Sequence, residues 1–229
     1  MFAATPGWRQ TLVRTPVGAK HSDGFGAVRG VLHPGRMVGF MDEALDAMRF
    51  AVVDVETSGL SLRRHHVLQI GLVVVDGNGQ VLDRWSSLVA PRRRWWFRVG
   101  PVGIHGIRRR MVRDAPPGRD VLTELAARLG NARFVAHNAA FDAGFLRKAS
   151  KTHGVVVPIV NPLCTLTLSR RLDPERQLSH RLVDLCGRYG IELVRPHDAL
   201  ADADATAAVL PLLLKAHGIT SAAQLPIAS

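Results

Sequence analysis

Four carboxylates and one histidine stand where the residue pattern passes from one element to the next. Asp54 and Glu56 lie one residue apart in the stretch FAVVDVETSGL, at the end of an apolar, β-branched run that reads as a buried strand. Side chains two apart on a strand share a face, so both acids stand together at its end. Like charges beside a buried sheet are unfavourable unless a cation sits between them. Taken alone, the stretch is equally a strand that runs into a polar Thr-Ser-Gly turn. Asp142 falls in the first turn of a predicted helix after His137-Asn138, where a carboxylate also serves simply as favourable N-terminal charge. Asp202 belongs to the helix opening His197-Asp198-Ala199-Leu200-Ala201-Asp202, whose alanines suit close packing. Asp198 fits the N-cap of that helix, and neither it nor Asp204 is counted in the set. Together, Asp54, Glu56, Asp142 and Asp202 have the makings of a carboxylate metal cluster. Oxygen donors of this kind suit magnesium or manganese rather than zinc. Two such ions about 3.5–4 Å apart can clamp a phosphodiester.

The elements that must position these residues follow from the pattern. Residues 50–56 and 67–75 are strongly β-prone, Asp76-Gly77-Asn78-Gly79 is a hairpin turn, and 80–90 returns as a third strand, giving three consecutive antiparallel strands. Residues 118–129 carry helical periodicity closed by Gly130-Asn131, 133–136 is a short strand, and 139–151 is a helix. A fifth strand is expected at 155–160, then helices near 164–171, 179–189 and 199–216. This order suits a mixed α/β sheet covered on both faces. Residues 1–47 form a Gly/Pro-rich extension with a short helix starting at Asp42, 48–217 form the expected domain, and 218–229 are a short tail. Gly24-Phe25-Gly26 is no dinucleotide fingerprint, having neither strand before it nor helix after.

Of the 30 basic residues 26 are arginine, and the net charge is +11. Arginine's planar fork suits phosphate, so the surplus favours a polyanionic partner, nucleic acid above all; an arginine-rich genome gives the same composition. Cys164 and Cys186 make neither a metal pair nor a disulfide framework, and no stretch has the length of a membrane span. With charges in the first ten residues and no apolar signal region, a cytoplasmic location is expected.

VVDVETSGL, HNAAFDAGFL and HDALADADATA resemble the three motifs of the DEDDh (DnaQ-like) 3′–5′ exonuclease family, over roughly residues 48–217. Ile104-His105-Gly106-Ile107, the Met111 to Pro116 region and His180-Arg181-Leu182-Val183-Asp184-Leu185-Cys186 are similar to the proofreading subunits of bacterial replicative polymerases. The resemblance implies a ribonuclease H-like fold with a five-stranded mixed sheet, three antiparallel strands then two parallel. It implies two divalent ions, Mg2+ or Mn2+, held by Asp54, Glu56, Asp142 and Asp202, with His197 as general base; an imidazole is suited to taking a proton at neutral pH. It places Thr57, Leu60, His105, Asn138 and Phe141 against the terminal nucleotide, Leu60 as a wedge between bases. The implied substrate is a single-stranded or frayed DNA 3′ end, cut to nucleoside 5′-monophosphates, with RNA trimming as the alternative. A non-catalytic nucleic-acid-binding polymerase accessory is the reading from a different class. A DNA polymerase or repair partner is implied as well, although residues 218–229 are shorter than the docking tail of a proofreading subunit.

One stretch departs from the family pattern. Pro91-Arg92-Arg93-Arg94-Trp95-Trp96-Phe97-Arg98 sets arginine beside aromatics, the combination that holds single-stranded nucleic acid by charge and stacking. The same residues would also serve as a packed edge-strand rim.

Overall fold

A computed structural model describes residues 44–92 and 97–226. Asp42, the Gly24-Phe25-Gly26 triplet and the rest of residues 1–43 lie outside the described residues, as do Arg93, Arg94, Trp95, Trp96 and 227–229. After a 3-10 turn at Leu45–Ala47 come β1 (Arg49–Thr57), β2 (Val67–Asp76) and β3 (Val81–Leu88), then α1 (Val102–His105), α2 (Arg109–Arg113) and α3 (Gly118–Leu129). β4 (Arg133–Ala136), α4 (Ala139–His153), β5 (Leu163–Cys164), α5 (Thr165–Arg171), α6 (Leu182–Tyr189) and α7 (Ala199–Ala216) complete the order, with a 3-10 turn at Ala222–Gln224.

The five strands form one sheet in the order β3-β2-β1-β4-β5. β1 is antiparallel to β2 and β2 to β3, whereas β4 runs parallel to β1 and β5 parallel to β4. The expected three-plus-two sheet is the one observed. Alternation along β1 divides the core: Ala51, Val53 and Val55 pack with α3 and α4, while Phe50 and Val52 pack with α5, α6 and α7. Both layers are needed, because the site draws an acid from each.

The expected fifth strand at 155–160 is not one. Val157 and Ile159 are buried but Val156 and Val160 are exposed, and the run contains Pro158, which cannot donate to a ladder. The strand that does pair with β4 is two residues long, through Val135↔Leu163 and Ala136↔Cys164. The helix expected from Ser179 begins at Leu182, because His180 is drawn into a buried polar chain described below. Among the described residues no helix is long and apolar enough to cross a membrane.

Candidate active site

Asp54 and Glu56 continue the face of β1 that carries Phe50 and Val52, and so look towards α7. The β1–β2 register slips between Glu56 and Thr57, where Glu56 faces Gln69 and Thr57 faces Val67. A bulge at this point bends the strand end and re-aims its side chains. On the same pair of strands Asp54 faces Gly71, and here α7 comes down onto the sheet: a Cβ on Gly71 would lie 2.1 Å from the Ala199 carbonyl oxygen. Only the absence of a side chain lets the start of α7 rest beside Asp54, which is what carries Asp202 to the strand end. Gly71→Ala is expected to push α7 outward, destabilising the fold by about 1–3 kcal/mol, the usual range for overpacking. A thermal melt checks this; an unchanged melting temperature would mean that α7 does not need this approach.

Asp142 arrives from the opposite layer. The β1–β4 register ends at Val52↔Val135, and beyond it the Val55 N–H donates to Asp142 Oδ1 at 3.1 Å. The carboxylate thus takes a ladder position that β4 is too short to fill, and it is 2% exposed. At the start of α7, Asp198 caps the helix by accepting from the Ala201 N–H at 3.1 Å. His197, just before it, is exposed and held at φ 66°, and its backbone N–H donates to Asp202 Oδ2 at 3.0 Å. Glu56, His197 and Asp202 each offer a ligand atom, and these atoms all lie within 4.8 Å of one another. Asp202 Oδ1 is buried with no hydrogen-bond partner. An orphaned carboxylate oxygen beside another carboxylate and an imidazole is the donor set that a divalent cation satisfies, so these residues fit a metal.

Electrostatics agree with that fit. Burial, and after it the charges of Asp142, Asp202, Glu56 and Asp198, hold the Asp54 carboxyl well above its ordinary range. Burial raises Glu56 to about 7, with Asp202 and Asp198 adding to it. Burial lifts Asp142 to about 8 against the opposing Val55 N–H. Asp202 is raised by burial, with the His197 N–H and imidazole acting the other way.

Each raised acid binds a proton in the folded chain over a range where the unfolded chain has released it. Metal-free stability therefore falls as pH rises, from 4.5 to about 7 through Glu56 and from 3.8 to about 8 through Asp142. His137 acts in the opposite sense, since burial lowers it from 6.5 to about 4 and its contribution is lost as pH falls through that window. The melting temperature in chelator is expected to drop on going from pH 6.5 to pH 8, where only the acids act. Magnesium or manganese should raise the melting temperature and abolish the drop. A melt indifferent to both ions would count against the site.

The remaining expected site residues are dispersed around this centre. Thr57 is buried and its Oγ1 donates to the Gly59 carbonyl at 2.9 Å, shaping the turn after β1. That turn presents Leu60, 82% exposed, to solvent. Asn138 is exposed at the N-cap of α4 with φ 72° and makes no side-chain capping bond, leaving its amide available. Phe141 is half-buried and packs on Phe145, ring centroids 4.8 Å apart. His105 is buried with both ring nitrogens engaged, Nε2 with the Val99 carbonyl and Nδ1 accepting from the Ile107 N–H. These two bonds pin the α1 turn.

Sequence reasoning missed a chain of buried polar groups beyond the end of β4. His137 is fixed between Thr165 Oγ1 and the His180 carbonyl, both at 3.0 Å. His180 lies between Ser169 Oγ at 2.8 Å and Asp173 Oδ2 at 3.1 Å. The residue types are those of a nucleophile relay, but Ser169 is buried and the chain holds the loop before α6 against the end of β4. Its members are spread over 137–180, and no local spacing announces them.

The sequence model described as exonuclease (RNase_T) matches residues 51–210. The chain is 37% identical over 172 residues to the PolC-type DNA polymerase III of Bacillus subtilis, a match covering 75% of this chain and 12% of that protein. Against the PolC-type polymerase of Oceanobacillus iheyensis the identity is 38% over 164 residues, covering 70% and 11%. The chain thus spans about an eighth or less of the length of these curated relatives. Among solved structures it superposes on exonuclease I with a TM-score of 0.64 at 20% identity, covering 74% of this chain and 41% of that one, a likeness of fold. It superposes on exonuclease X in complex with 5′ overhanging duplex DNA with a TM-score of 0.57 at 29% identity, covering 74% and 93%. The fold is the ribonuclease H-like one of these enzymes.

Proposed function

The chain belongs to the exonuclease family, and from that premise we propose that it is a divalent-metal-dependent 3′–5′ exonuclease acting on DNA ends and releasing nucleoside 5′-monophosphates. The observation that supports this most directly is the meeting of Glu56, His197 and Asp202 ligand atoms within 4.8 Å, beside two further acids whose fields reach one another. Asp54, Glu56, Asp142 and Asp202 would hold two ions, magnesium or manganese. Bound there, the ions would supply Lewis-acid stabilisation of the charge that builds on phosphoryl oxygens.

The chain's own residues do the rest. His197, exposed at the mouth of the site, takes the proton from the attacking water. Its backbone tie to Asp202 keeps the imidazole next to the carboxylates while leaving both ring nitrogens unused by that bond. Leu60 stands out of the turn after β1 as an apolar wedge for the terminal base, and Asn138 and Phe141 border the same end of the sheet. The acids repel the incoming phosphate until they are neutralised, so turnover without divalent ions should be nil.

Side-by-side digestion of matched DNA and RNA oligonucleotides, labelled at the 5′ end, tests the reading. A ladder shortening from the 3′ end on DNA, with 5′-mononucleotides as product and complete inhibition by chelator, is expected. Cleavage confined to RNA would reassign the substrate, and cleavage from the labelled end would overturn the polarity.

A further inference from the structure

Two adjoining cavities lie beside the turn after β1, and neither is lined by any of the four acids. The larger, about 450 Å³, has an apolar floor of Val67, Val89 and Phe145, with Arg92, Lys148 and His153 around it. The smaller, about 370 Å³, is lined by Ser58, Arg64, His65 and Arg98. Ser58 directly follows the end of β1, so this second cavity adjoins the strand that carries Asp54 and Glu56. His66 and Phe97 line both, their rings tilted at 51° with centroids 5.7 Å apart.

The charge here is of one sign. Among the described residues, none of Arg64, Arg92, Arg98 and Lys148 forms an ion pair with a carboxylate; the ion pairs of Arg84, Arg113, Arg128 and His180 all lie elsewhere. Lys148 donates to the His65 carbonyl instead. Burial, and then the charges of Lys148, His65 and His153, keep His66 below its ordinary value, so its surroundings already resist further positive charge. An apolar slot, a pair of exposed or half-exposed rings and uncompensated cations are what a stacking platform for a polyanion needs.

We propose that this basic-aromatic cleft grips single-stranded nucleic acid away from its reacting end, bases stacking on His66 and Phe97 while Arg64, Arg92, Arg98 and Lys148 meet the phosphates. The inference rests on the exonuclease reading only for which part of the strand lies here. It predicts that the cleft contributes to the binding of longer strands and nothing to a substrate too short to reach it.

Arg92 and Arg98 are exposed, so Arg92→Ser with Arg98→Ser leaves packing intact, and Phe97→Leu keeps an apolar side chain against Leu68 and Val99. Binding of a fluorescein-labelled oligothymidylate to the full chain is measured in chelator, where no cutting occurs. The double arginine variant should bind roughly tenfold or more weakly, with the slope of log affinity against log salt reduced by about 0.7 for each phosphate contact removed. Phe97→Leu should weaken binding with the slope unchanged. With magnesium restored, hydrolysis of a dinucleotide should proceed at the parent rate in both variants. Parent-like affinity and slope would overturn the inference, as would equal losses on dinucleotide and oligomer. If the parent chain binds the oligomer but cuts nothing, the exonuclease reading fails while the cleft is still tested by the same titration.

Discussion

Asp54→Asn is expected to lower kcat by about 10³-fold or more, since each tenfold corresponds to about 1.4 kcal/mol and a metal site supplies several kcal/mol of transition-state stabilisation. The same variant should be more stable than the parent in chelator. Asp54 is held well above its ordinary range by burial and by four neighbouring acids, so removing its charge relieves repulsion in the metal-free fold. Each kcal/mol of relief should raise the melting temperature by about 2–4 °C in a chain of this size. The two readouts move in opposite directions, which a merely structural role for Asp54 does not produce. A variant that is both inactive and less stable in chelator would make Asp54 a packing residue. One that retains activity would remove it from the site.

The second large effect concerns His197. Its φ of 66° is a left-handed conformation that asparagine adopts more readily than most side chains, so His197→Asn keeps the backbone and the N–H to Asp202 while deleting the imidazole. Turnover should fall by about 10²–10⁴, the usual contribution of a general base, with little change in melting temperature. Because His197 lies among the candidate ligand atoms with Glu56 and Asp202, manganese affinity must be measured as well. Unchanged affinity with lost turnover, and partial rescue by imidazole in the buffer, would fit a base. A parallel loss of manganese affinity would make His197 a ligand, and near-normal turnover would mean that another group deprotonates the water.

Much of this could be read from the sequence because the signals were local. The boundaries of α3, β4 and α7 follow from periodicity and caps, with Gly130 closing one helix and Asp198 opening another. The positions of the four acids at strand ends and helix starts needed only the alternation of β1 and the starts of α4 and α7. Where the reading went wrong, at 155–160, five apolar residues outweighed Pro158 in their midst, although the proline is the residue that forbids a central strand. Other features had no local signal at all. That Gly71 admits α7, that Val55 donates to Asp142, and that His66 meets Phe97 are contacts across 128, 87 and 31 residues of chain, set by packing rather than spacing. His105 adds a role that its motif does not announce, since both ring nitrogens are engaged by backbone groups around its own turn.

Whether the scattered acids act as one metal centre is open to a single direct measurement, anomalous diffraction at the manganese edge from crystals soaked with Mn2+ and a nucleoside 5′-monophosphate. Two peaks bounded by Asp54, Glu56, Asp142 and Asp202, with the His197 ring facing the nucleotide phosphate, are predicted. Manganese found only elsewhere on the chain, or no ordered manganese in a preparation that degrades DNA, would contradict it.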